Sequence, residues 1–178
     1  MRNRIIAAAF AAAIGMSYAG AGIAAPATNF VYQSKTDLFG YYIPATDVQV
    51  GKFKLNNVAI AGADDFKTFF GGKRMDTFAP VMVCFDDTSS KQLNGELGPY
   101  YQNAPRVLPS AFTVSGDVVT FAGSDKQVGP VTFKGKLDLK TLGGAKGGGD
   151  SNAIVMTGDL TVGAKTFKNV QFRWFGGD

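Results

Sequence analysis

Histidine is absent from this chain, and cysteine and glutamate occur once each. Each shortage closes off chemistry. Histidine is the usual general base near neutral pH and the commonest metal ligand. Its absence excludes Ser-His-Asp and Cys-His catalysis, His-ligated zinc and His-ligated haem. A lone Cys84 excludes an intramolecular disulfide. It sits in Val81-Met82-Val83-Cys84-Phe85, where a thiol is expected to act as a small buried hydrophobe. It also lies too far from the N-terminal region to be the acylated cysteine of a lipoprotein. Glu96, the only glutamate, has Asp86 and Asp87 as its possible partners for paired-carboxylate hydrolysis. An acid catalyst needs burial to raise its pKa, whereas Asn94-Gly95-Glu96-Leu97-Gly98 reads as an exposed loop. No catalytic residue is assigned, and an enzyme is not the favoured reading.

Metal and cofactor signals are equally thin. Asp64-Asp65 and Asp86-Asp87 lack the alternating spacing of a Ca²⁺-binding loop. The first pair is read as a helix cap from Asp64, and the second as the turn that ends a buried strand. The glycine run from Gly143 to Asp150 lacks the Gly-Lys-Ser/Thr ending of a phosphate loop. No metal and no cofactor is expected.

The formal charge is +4, but the basic residues form no dense run. They alternate with apolar residues along strand-like stretches, so solvated strand faces explain them better than a nucleic-acid surface. Two of them, Arg2 and Arg4, head the apolar run Ile5–Ile14, which small residues follow through Ala27. This order of charge, apolar core and small-residue region predicts a secretory signal peptide over residues 1–27, cleaved after Ala24 or Ala27. Its loss lowers the charge from +4 to +2. No later apolar segment reaches membrane-spanning length. The expectation is one domain over residues 28–178, secreted or periplasmic, with no transmembrane segment.

What the chain does have is strand pattern. Val131, Phe133, Gly135, Leu137 and Leu139 alternate with Thr132, Lys134, Lys136, Asp138 and Lys140, a period of two with one dry face and one wet face. Ile154–Val162 mirrors it, and the glycine run between reads as a slack hairpin connection. Ser115-Gly116-Asp117 and Gly163-Ala164-Lys165 mark further hairpins, giving a five-stranded C-terminal meander. In the first half, Phe30–Gln33, Tyr41–Ile43 and Val48–Ile60 read as strands, and Val81–Phe85 as a central strand covered on both faces. One helix is predicted over Ala63–Gly72, with Phe66, Phe69 and Phe70 on one face. The fold class is therefore all-β, an antiparallel sandwich or barrel with one short helix. Asp47–Ile60 also matches Asp159–Phe172 without gaps at an offset of 112, suggesting a bulge at Asn57 and Asn169. This is read as convergence of two hairpins, not as a duplicated unit. Gly158-Asp159-Leu160-Thr161-Val162-Gly163 is similar to the closing hairpin of periplasmic polyisoprenoid-binding barrels. The likeness covers these six residues, and that family's histidine-bearing N-terminal pattern is missing.

The best binding signal is Gly98-Pro99-Tyr100-Tyr101-Gln102-Asn103-Ala104-Pro105-Arg106. Read as a Pro-bounded loop, it presents Tyr100, Tyr101, Asn103 and Arg106, flat apolar rings edged by hydrogen-bonding groups that suit a carbohydrate or a protein. Trp174 and Tyr41-Tyr42 would add to that surface. The expected function is a non-enzymatic exported protein that works by surface binding or assembly. The alternative is a carrier holding an apolar, lipid-like ligand inside a barrel, and the third reading is a carboxylate-dependent hydrolase. Self-association is expected to run through Thr28–Lys35, a strand-like terminal segment able to pair with a neighbour.

Overall fold

The computed structural model describes residues 29–96 and 98–177; the predicted leader and its cleavage region lie outside them. In chain order the elements are β1 (Phe30–Gln33), β2 (Gly40–Pro44), β3 (Gln49–Val50), β4 (Phe53–Ile60), α1 (Ala63–Phe70), β5 (Val81–Asp87), β6 (Gln92–Gly95), β7 (Gly98–Tyr101), β8 (Arg106–Val107), β9 (Pro109–Ser115), β10 (Val118–Asp125), β11 (Gly129–Leu137), α2 (Leu139–Lys146), β12 (Ile154–Val162) and β13 (Lys165–Phe175). The chain is all-β. One sheet curls into a half-barrel in the order β1-β9-β10-β11-β12-β13-β2-β4-β5-β8, with β3 on β4, while β6 and β7 form a separate two-stranded sheet. Every pairing is antiparallel except β1 on β9. Residues 106–115 run from β8, one end of the curl, to β9, which lies next to β1 at the other end. Arg106-Val107 pairs with β5, and Pro109–Ser115 pairs with β10.

Local sequence sets the turns. Three hairpins close through two residues led by glycine: Gly51 between β3 and β4, Gly116 between β9 and β10, and Gly163 between β12 and β13. Their φ values are 56°, 57° and 57°, a conformation that suits glycine and matches strand twist. The expected bulges are present. Between Leu55 and Asn57 β4 carries one more residue than β5, and between Phe167 and Val170 β13 carries one more than β12. Each bulge reverses which face the following residues take. Leu55, Val58 and Ile60 therefore all reach the core, leaving Asn57 and Ala59 on the outer face of β4.

The glycine run differs from the reading as a hairpin loop. Its first half, Gly143 to Lys146, forms the C-terminal half of α2, making two short helices. Asp138 caps α2 by accepting from Thr141 N at 3.0 Å and Thr141 Oγ1 at 2.7 Å, and Leu142 is buried beneath it. An end cap and one buried leucine outweigh the weak helix propensity of two glycines. The strand before it accordingly stops at Leu137. In α1 the capping carboxylate is Asp65, which accepts from Gly62 N at 3.2 Å, not Asp64.

The interior is filled. Tyr42, Phe66, Phe85, Phe112, Phe172, Leu160 and Met156 are fully buried in one core cluster. Phe133 packs edge-on to Phe172, with centroids 5.5 Å apart. Its ring also lies over Gly135 and Gly158, which face each other across β11 and β12. At the start of the chain Phe30 and Tyr32 pack into an aromatic cluster. Phe30 is 5.1 Å from both Phe69 and Phe112, and Tyr32 stacks on Phe66 at 3.9 Å.

Candidate functional site

A groove of about 320 Å³ lies on the outer face of β4 and β5, beneath the β6–β7 hairpin. The bulge at Asn56-Asn57 builds its floor by turning Asn57 and Ala59 outward beside Met82 and Cys84, their neighbours in register on β5. Tyr100 and Tyr101 wall it from β7, Arg106 closes one end from β8, and Tyr41 flanks it from β2. A narrower extension of about 80 Å³ continues past Tyr41, Ala59, Phe78 and Met82 to Phe39 and Ala61. From Asn56 to Ala61 the trough follows β4 for about 16 Å, five residues at strand rise. One end is aromatic and apolar, and the other carries Asn56, Asn57, Asp86 and Arg106.

The polar end is partly organised. Asn56 Nδ2 donates to Asp86 Oδ2 at 2.8 Å, and Asn57 Nδ2 donates to Asn56 Oδ1 at 2.6 Å. Asn57 Oδ1 is buried and accepts no hydrogen bond among the described residues, an arrangement that costs free energy. Arg106 makes no ion pair among the described residues. Burial pushes the Cys84 thiol up to about 11, with Arg106 pulling the other way and Asp86 adding to the rise. Cys84 is thus a neutral, weakly nucleophilic part of the floor at neutral pH.

The site residues read from the sequence divide. Tyr100, Tyr101 and Arg106 converge on the groove. Tyr100 and Tyr101 lie on a strand, not a loop, because the two-stranded β6–β7 sheet tolerates Pro99 at an edge. Asn103 is committed elsewhere: its Nδ2 donates to Asp87 Oδ2 at 2.9 Å and to Gln127 Oε1 at 2.8 Å. Trp174 sits at the opposite side of β2. Its Nε1 donates to Phe39 O at 2.9 Å, its ring rests on Gly40, and Lys146 Nζ lies 5.5 Å from its centroid. Tyr42 points inward, fully buried, and donates to Leu38 O at 2.8 Å. Glu96 is exposed at the tip of the β6–β7 hairpin. The residues missed by sequence reasoning are Asn56, Asn57, Phe78 and Met82. The usable signal was the break in alternation at Asn56-Asn57, which turns one apolar face outward.

Asp87, 3% exposed, anchors the segment that carries the groove wall. It accepts from Lys52 Nζ at 2.8 Å, Ser89 Oγ at 2.6 Å, Ser89 N at 3.0 Å and Asn103 Nδ2. The Lys52 ammonium and then the Ser89 hydroxyl hold its carboxyl well below the usual carboxylate range. A larger, shallower hollow of about 420 Å³ is lined by Lys136, Asp138, Ile154 and their neighbours. It carries no aromatic residue, and Asp138 there is already spent on capping α2. Among the described residues no group of three metal-ligating side chains converges, and no helix is long and apolar enough to cross a membrane. No family model, curated protein or solved structure matches this chain.

Proposed function

We propose that this chain is an exported, non-enzymatic binding protein of the cell envelope or extracellular space, and that the groove beneath the β6–β7 hairpin takes a saccharide. The observation that carries this reading is the joint presence of aromatic walls and unspent polar groups in one trough. Tyr41, Tyr100 and Tyr101 offer flat faces for sugar rings. The Arg106 and Asp86 side chains can donate to and accept from neighbouring hydroxyls. The alternative, an apolar ligand carried within the barrel, is disfavoured by the Phe, Tyr and Leu side chains that occupy the interior. The hydrolase reading is disfavoured by the exposure of Glu96.

The test is Tyr100→Ala combined with Tyr101→Ala, titrated calorimetrically with a panel of soluble oligosaccharides and envelope polysaccharide fragments. Binding by the parent chain should fall more than about tenfold, a loss of roughly 1.4 kcal/mol. Tyr100 is 51% exposed, so the melting temperature should move by only about 1–2 °C. No binding of any saccharide by the parent chain, or a drop of many degrees in the variant, would defeat the reading.

A further inference from the structure

Among the described residues β1 is the only parallel strand, pairs along one edge alone, and lies at the end of the sheet order. Its Phe30 and Tyr32 plug a slot made by Phe66 and Phe69 of α1 and Phe112 of β9, and Arg74 covers the Phe30 and Phe69 rings at 4.9 and 4.8 Å. On its C-terminal side the chain is pinned again almost at once. Lys146 Nζ donates to Asp37 O at 2.8 Å and to Asp37 Oδ2 at 2.7 Å, and Leu38 is buried. Only Ser34, Lys35 and Thr36 connect the two anchored parts. Every contact that holds β1 is available in the same form to the β1 of a second copy, which is the condition for strand exchange.

We propose that β1 is an exchangeable strand, through which one copy of this chain docks on another by filling its β9–α1 slot. The three-residue hinge controls the choice between the two arrangements. Deleting Lys35 and Thr36 halves the connection from Gln33 to Asp37, from four Cα–Cα steps to two, about 7 Å at full extension, which disfavours β1 folding back onto its own sheet. Inserting four Gly/Ser residues after Lys35 should do the reverse.

The exported full chain and both hinge variants would be compared by native mass spectrometry. The deletion should raise the oligomer-to-monomer ratio at least about tenfold, and the insertion should lower it. The second measurement mixes Tyr32→Cys and Phe66→Cys chains, each in a Cys84→Ala background. A 32–66 disulfide between unlike copies should form, since Phe66 is 1% exposed and is reached only by a seated β1. Oligomers indifferent to hinge length would overturn the proposal, as would folded mixtures that never form the 32–66 link.

Discussion

Replacing Gly135 by alanine tests how tightly the barrel interior is fitted. A Cβ there would lie 2.6 Å from Phe133 Cζ, 2.7 Å from Cε1 and 3.0 Å from Met156 Sδ. All three contacts are to side chains, and two belong to one ring. Overpacking of this kind costs about 1–3 kcal/mol, which for a domain of this size lowers the melting temperature by about 2–12 °C. In a Phe133→Ala background the ring is gone and the Met156 thioether can swing aside. The same glycine replacement should then be neutral, or stabilise by up to about 0.5–1 kcal/mol through reduced backbone entropy in the unfolded chain. The coupling between positions 133 and 135 should therefore be at least about 1 kcal/mol. Gly158 is the internal control. Its Cβ would meet Lys134 O at 2.7 Å and Gly135 Cα at 2.9 Å, both backbone, besides the ring at 2.8 Å. Gly158→Ala should remain costly after Phe133 is removed. Urea unfolding followed by far-UV circular dichroism and by the single tryptophan, Trp174, supplies all the free energies needed. If Gly135→Ala costs as much without the ring as with it, the packing account of Phe133 is wrong.

Three further outcomes follow from individual groups. Asp87 has a depressed carboxyl pKa, so its stabilising contribution is complete above the ordinary value of 3.8 and is lost as pH falls through its lower native value. Asp87→Asn should weaken the fold at neutral pH and flatten the acid side of the stability curve. Cys84, half-buried in the groove floor with its thiol pushed up to about 11, should react with a disulfide reagent at pH 8 much more slowly than the same thiol in urea. Equal labelling rates in buffer and in urea would contradict the raised thiol pKa. Phe112→Ala removes a ring that meets Phe30, Phe66, Phe69 and Phe70 and should cost about 3–5 kcal/mol; a loss under 1 kcal/mol by thermal melting would show that the cluster collapses onto the gap.

The sheet was legible because alternation is a local signal. Val131–Leu137 carries it without interruption and β11 follows; Ile154–Val162 carries it from Met156 onward, but Val155, expected outward, is buried beside a bulge between Ile154 and Met156. Gly51, Gly116 and Gly163 marked the turns for the same reason, since each requirement is met within two residues. The 139–146 segment was not legible as a helix. Its helicity depends on a cap by Asp138 and on burial of Leu142 in the core, neither of which composition records. The candidate site was half legible. Tyr100, Tyr101 and Arg106 stand out as polar-aromatic residues near prolines. Asn103 and Trp174 share that chemistry, yet Asn103 is claimed by Asp87 and Trp174 by the Phe39 carbonyl. Residue type shows what a side chain can do, whereas only the fold decides which partner reaches it first. The bulge that turns the floor outward was legible at Asn57; that the β6–β7 hairpin walls this face into a groove depends on tertiary packing that no local pattern records.

The ten residues from Arg106 to Ser115 act as a seam, stitched to β5 at one end and to β10 at the other. A break at Leu108 would cut that seam and leave each fragment with an unzipped border, so the two pieces should fail to complement unless mixed during refolding. A break at Gly147-Gly148, outside every strand, leaves the seam whole. New chain ends should therefore be tolerated beside α2 and refused at residue 108.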